Sequence, residues 1–210
     1  DNDDNSSDYI MFYQGDTADI ASRPQLVITY TIPSSVTLRS VGEYDGWIEE
    51  SSEDSETGGI SHNIYDYVVV GDGSADEQYR AIISFNTASL PDNADITAVE
   101  FGLKYFGVVG TLPFETHNGL YVDVNTPAFA GWEDYGIAPL DIVPGDFEAA
   151  ATKLLAAKFS ATPINGWYTA NIPSQYISKT ESTQFRLRFL EDDNDDNSSD
   201  YIMFYQGDTA

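Results

Sequence analysis

Ten consecutive residues, Glu191, Asp192, Asp193, Asn194, Asp195, Asp196, Asn197, Ser198, Ser199 and Asp200, carry only oxygen-bearing side chains. Asp193, Asp195 and Asn197 stand at alternate positions, the ligand spacing of the first half of a calcium loop. Hard carboxylate and amide oxygens suit Ca²⁺, and crowding this much negative charge into one loop is costly without a cation. Asp193, Asp195, Asn197 and Asp200 therefore form a candidate Ca²⁺ site. The sixth position is not Gly and the twelfth is not Glu, so the loop is not an EF-hand, and a solvated acidic turn would use the same residues. Glu53, Asp54 and Glu56 in the loop 51–59, and Asp72 with Asp76, are weaker candidates, more simply read as solvated loop charge.

A second kind of chemistry is stacking. Trp47, Trp132 and Trp167, with Tyr44 and Tyr135, could present flat apolar rings to a polysaccharide, and Trp47 and Trp132 are the candidate ligand-binding residues. In a β-sandwich the same residues serve more often as core. His62 and His117 lie far apart, without a Cys, His or HExxH neighbour, and read as loop residues. There is no GxSxG elbow and no phosphate loop. Acidic pairs arise on any surface this acidic, so they do not point to a glycosidase. No feature points to an enzyme.

What positions these residues is an internal repeat. Residues 1–18 read DNDDNSSDYIMFYQGDTA, and residues 193–210 repeat them without a mismatch at an offset of 192 residues. That is the size of one all-β domain, and the simplest account is one period of a tandem array plus an overlap. An engineered duplication or a circular permutation would leave the same pattern. The calcium-type set recurs in the first copy as Asp1, Asp3, Asn5 and Asp8. Behind that copy, 25–32 (QLVITYTI) is a strand of β-branched and aromatic residues following Pro24. Residues 1–32 are then the closing hairpin of a preceding repeat, or donated strands. Residues 33–210 are a β-sandwich domain lacking its own final strand, with Pro33-Ser34-Ser35 as linker. Tyr9, Met11, Tyr13, Leu26, Ile28 and Tyr30 would be the polymerisation residues, since a sheet that lacks a strand exposes an edge that seeks one.

Composition sets bounds. The chain has 35 acidic and 9 basic residues for a net charge of −26, and removing the five Asp of one copy leaves −21. Such a surface repels nucleic acid and anionic membranes and attracts divalent cations. There is no Cys, so no disulfide and no thiolate site, and no apolar run of membrane-spanning length.

Short alternating runs recur between Gly, Pro and Asp turns: 45–50, 65–70, 78–85, 97–109, 120–124, 166–172, 184–190 and 201–206. In 97–109, Val99, Phe101, Leu103 and Tyr105 share one face at period two. Residues 146–159 (DFEAAATKLLAAKF) favour a helix by composition, with Asp146 as N-cap. The expected fold is all-β, an antiparallel jelly-roll-like sandwich with one short helix at about 146–159.

Read in order, DGWIEE (45–50), YVVVGDG (67–73), YRAIISFNTASLPDNADITAVEFGLKYF (79–106), GWYTANI (166–172), TQFRLRFLEDDNDDNSSDYIMFYQGD (183–208) and RPQLVITY (23–30) resemble the DNRLRE-type domain. This is a carbohydrate-binding-module-like β-sandwich of secreted bacterial and archaeal proteins. QYRAIISF occupies the region of the motif that names the family. In that family an RPxLxVxY segment closes the domain directly after a DYIxFYSGD-like strand. The resemblance implies an extracellular, non-enzymatic and often repeated module. The expectation is a structural repeat of an extracellular filament or surface adhesin, its partners neighbouring copies of itself. The alternative is a carbohydrate-binding module appended to a secreted enzyme or adhesin.

Overall fold

A computed structural model describes residues 9–12, 14, 16–28, 34–129 and 141–207. Two compact units divide the chain, Asp1–Val36 and Thr37–Ala210. In the first, the described residues form one 3-10 turn, Ile20–Ser22, capped by Asp19, whose carboxylate accepts from Ala21 N and Ser22 Oγ. Among them no residue lies in a strand.

The second unit is almost wholly antiparallel β. Its strands are β1 (Gly46–Glu50), β2 (Gly58–His62), β3 (Tyr67–Asp72), β4 (Gln78–Phe85), β5 (Glu100–Val109), β6 (Leu120–Asn125), β7 (Lys153–Lys158), β8 (Trp167–Asn171), β9 (Thr183–Phe189) and β10 (Asp200–Tyr205). They form one ten-stranded sheet in the order β7-β6-β9-β4-β3-β10-β5-β8, with β1 joining β4 to β2. The sheet curls until its ends nearly meet: just past β7, Ser160 N donates to Thr169 O of β8 at 2.9 Å. This is the all-β sandwich expected from the alternating runs.

Alternation builds the interior. Phe101 and Leu103, Phe185, Leu187 and Phe189, Leu120, Val122 and Val124, and Ile202 and Phe204 meet in the main core. Phe101 packs against Phe85 and Phe185 with ring centroids 5.5 and 4.8 Å apart, geometry favoured by the aromatic quadrupole. Ile82 alternates with Ala81 and Ile83, so it points the other way. With Ile48 it packs under Phe129, Ile142, Phe147 and Ala149 in a second, smaller core.

The helix expected at 146–159 does not form. Pro144–Asp146 is a 3-10 turn and Lys153–Lys158 is β7, paired with β6. Asp146 is not an N-cap: it closes the turn, and its Oδ2 accepts from Val143 N at 3.0 Å. Two buried side chains outweigh the local preference for helix. Arg186 Nη1 donates to the carbonyls of Asp146, Phe147 and Ala149 at 2.8, 3.0 and 2.8 Å. Asp123 Oδ1 accepts from Leu155 N, with Leu155 held at φ 49° in a bulge no helix tolerates. Helix propensity is worth tenths of a kcal/mol per residue, and tertiary bonds of this kind override it. The α-helix among the described residues is a single turn, Pro113–Thr116.

Two smaller departures have physical causes. The GGISH strand β2 falls partly inside the polar loop expected at 51–59 and pairs with β1 although its sequence has weak strand propensity. The expected period-two face ends where a bulge at Phe106 interrupts the pairing of β5 with β10: Phe101 and Leu103 are buried and Tyr105, just before the bulge, is exposed.

Candidate functional site

The repeated stretch has two fates. In its second copy, Tyr201–Tyr205 lies inside the sheet, bonded to β3 on one side and β5 on the other. Ile202 and Phe204 are 0% exposed. In the first copy the matching Ile10 and Phe12 are 77% and 81% exposed. Tyr9 and Met11 are exposed too, as are Leu26 and Ile28 behind them. The expected polymerisation residues Tyr13 and Tyr30, and the first-copy ligand set Asp1, Asp3, Asn5 and Asp8, lie outside the described residues. What makes the strand is therefore its seat. The described residues 9–12 carry the same letters and lie in no strand, whereas 201–204 are flanked by β3 and β5.

Where this strand ends, the chain runs against the segment that led into the sandwich. Gly207 N donates to Asp45 Oδ2, and Ser84 N to Asp45 Oδ1. A Cβ on Gly207 would lie 2.2 Å from Ser40 O. Segments 40–45 and 206–207 thus lie side by side.

The acidic loop 191–200 spends its side chains differently from the alternating pattern. Asp193 Oδ1 accepts from Asp195 N at 2.9 Å, and Asp196 Oδ1 from Ser198 N at 2.8 Å. Asn197 contributes its backbone N–H, to Asp76 Oδ1 at 3.0 Å. Asp195 and Asn197 are exposed and occupy left-handed backbone at φ 57° and 55°. Asp200 is buried and turned inward, accepting from Thr111 N and from Asn194 Nδ2 at 2.9 Å. The loop does meet two of the weaker candidates. Partial burial and then Asp192, Asp195 and Asp76 push the Asp193 carboxyl up, against its bond from Asp195 N. Glu53 is also pushed up, by desolvation first and then by Asp54, Asp76, Asp195 and Asp192. Glu56 lies elsewhere, paired with Arg80 at 3.2 Å. Among the described residues, no three His, Cys, Asp or Glu side chains gather as a metal-holding group.

The aromatic residues make a cleft of about 180 Å³ lined by Trp47, Glu49, His62, Tyr67, Val69, Tyr79 and Tyr201. Trp47 is 7% exposed. Its ring stacks on His62 at 4.7 Å and on Tyr67 at 5.8 Å, and the row continues through Phe106 to Tyr205 at 4.8 and 4.9 Å. Burial, then the charges of Glu49 and Glu77, push the Tyr79 hydroxyl far up, so it stays a neutral donor and acceptor. Trp167 is half-exposed with Lys104 Nζ 5.6 Å above its ring, and Trp132 lies outside the described residues.

Neither histidine is the loop residue expected. His62 ends β2, stacked on Trp47 and 3.5 Å from Glu49. His117 caps Pro113–Thr116 and is wholly buried, its Nε2 3.0 Å from Asp72 Oδ1 and its Nδ1 2.6 Å from Thr116 Oγ1. Sequence spacing misses this pair because Asp72 lies 45 residues away and only the β3–β10 seat brings it near.

Comparison with protein-family models returns no match, and comparison with curated proteins returns none. The likeness to the DNRLRE-type domain rests on its strand segments alone. No helix among the described residues is long and apolar enough to cross a membrane.

Proposed function

We propose that this chain is one period of an extracellular filament or surface adhesin, its β-sandwich units polymerised by strand sharing or donor-strand complementation. The observation that supports this reading is the contrast between Tyr201–Tyr205, seated inside a sheet, and the described residues 9–12 of the identical first copy, exposed and in no strand. Burying a Phe or Ile side chain is worth about 1.5–3 kcal/mol, so a strand left outside a sheet is drawn towards any matching seat. The first copy fits the β3–β5 seat of a preceding sandwich, and the 19–32 segment that follows it closes that same unit.

The test separates the two segments. A peptide of residues 19–32 is expected to bind the 33–210 sandwich and raise its Tm by about 5–10 °C at about 100 times its Kd. A peptide of residues 1–18 is expected to leave it unchanged, because Tyr201–Tyr205 already fills that seat. The 210-residue chain should form larger species as concentration rises, read by light scattering, and removing residues 1–32 should leave a monomer. Two inert peptides and a monomeric full chain would sink the proposal.

The aromatic cleft supports a second reading, a carbohydrate-binding module. Rings beside a carboxylate and an imidazole can stack on a sugar and hydrogen-bond its hydroxyls. Tyr67→Ala should then abolish polysaccharide binding in calorimetry while lowering Tm by only part of what a core Phe→Ala costs, since Tyr67 is partly buried, and a wild-type protein that binds no glycan would end this reading.

A further inference from the structure

Two carboxylates are buried as facing residues where β3 meets β10. Asp72 and Asp200 are register partners there, 0% and 1% exposed. Facing residues of a ladder keep their Cβ atoms about 4.5–5.5 Å apart. Both Asp200 oxygens are engaged, by Thr111 N and Asn194 Nδ2. Asp72 is only half satisfied. Its Oδ1 meets His117 Nε2, but its Oδ2 is buried without a hydrogen-bond partner. Asn194 Oδ1, on the amide that bonds Asp200, is a second buried oxygen with none.

Leaving a buried carboxylate oxygen unmet is among the costliest arrangements in a folded chain. More oxygen crowds the place: a Cβ on Gly110, itself at φ 68°, would lie 2.0 Å from both Asp200 Oδ1 and Ser199 O. Burial pushes the Asp72 carboxyl up and the Asp200 carboxylate reinforces this, while the hydrogen bond and charge of His117 and the backbone N–H of Asp200 oppose it. Whatever meets Asp72 Oδ2 and Asn194 Oδ1 must take lone pairs from hard oxygens.

We propose that Asp72 Oδ2, Asn194 Oδ1 and the Asp200 carboxylate bind a Ca²⁺ ion, which ties the 191–200 loop to β3. Two carboxylates match its charge, and a mixed set of carboxylate, amide and carbonyl oxygens suits its irregular coordination. Mg²⁺ holds its water shell and fits so dry a place poorly. Zn²⁺ prefers nitrogen and sulfur, and both nitrogens of His117 are taken by Asp72 and Thr116. Of the candidate set Asp193, Asp195, Asn197 and Asp200 read from the sequence, the site shares only Asp200, and it does not depend on strand sharing.

The experiment uses the 210-residue chain, stripped with EGTA and titrated with Ca²⁺ alone at neutral pH. The expected result is one ion per chain in calorimetry and a rise in Tm of about 5–10 °C near 100 times Kd, with no comparable response to Mg²⁺. Asn194→Ala also removes the donor to buried Asp200 Oδ2, so it should lower the metal-free Tm and, measured against that lowered baseline, weaken Ca²⁺ binding at least about tenfold. The double variant Asp193→Asn/Asp195→Asn should keep the response. A chain whose Tm ignores Ca²⁺, its orphaned oxygens then met by a proton or water, would overturn the assignment. So would a response lost in the double variant and kept in Asn194→Ala.

Discussion

Replacing Asp123 by alanine is expected to lower the unfolding free energy of the sandwich by about 3–5 kcal/mol, because it leaves buried guanidinium groups without their counter-charge. Asp123 is wholly buried in β6. Its Oδ2 accepts from Arg186 Nε and Nη2 at 3.2 and 2.9 Å and from Arg188 Nε at 3.3 Å. Its Oδ1 holds Leu155 N at 2.9 Å and so fixes the bulge of β7. Arg186 is also the clamp on 146–149, its guanidinium 4.6 Å from the Phe129 ring. Burial, together with the charge of Arg188, pulls Arg186 down against the support of Asp123. Arg80 beside it, stacked 3.7 Å from the Phe147 ring, is brought down to about 10 by burial and then by Arg186 and Arg188. Both remain charged at neutral pH, so losing the carboxylate strands real charge. Urea titration measures the loss, and limited proteolysis should show new cutting within 141–152. Asp123→Leu with Arg186→Met should recover only part of the stability, since it removes the stranded guanidinium of Arg186 but also the donor to the carbonyls of Asp146, Phe147 and Ala149. A single variant within about 1 kcal/mol of wild type would show that the Arg clamp does not hold this face.

The second large effect compares one residue in two places. Phe204 is wholly buried, its ring 5.6 Å from Tyr168. Phe204→Ala should cost about 3–5 kcal/mol, a drop in Tm on the order of 10 °C for a unit this size. Phe12→Ala alters the same letter of the first copy, 81% exposed, and should stay within about 0.5 kcal/mol. In a chain extended by one preceding sandwich, Phe12→Ala should become as costly as Phe204→Ala, because the first copy then has its seat. Equal costs for both changes in the 210-residue chain, or no new cost in the extended one, would contradict strand sharing.

Much of the fold was legible before any coordinates. A β-strand shows two faces at period two, so QYRAIISF, QFRLRFL and YIMFYQ announce their own secondary structure, and turn residues mark their ends. The exact repeat, the charge of −26 and the lack of Cys are likewise properties of the letters alone. Residues 146–159 went the other way: Ala, Leu and Lys favour helix by tenths of a kcal/mol, and a buried Asp and a buried Arg from β6 and β9 outbid them. Long-range contact also decided the polar sites. Spacing along 191–200 suggested Asp193, Asp195 and Asn197, yet the Asp193 carboxylate is used by its own loop, Asn197 gives its backbone N–H to Asp76, and the register partner of Asp200 comes from β3, far off in sequence. His117 was paired by the same route. Local pattern is written in neighbours along the chain. Burial and charge pairing are written in neighbours through space, and only the folded sheet brings those together.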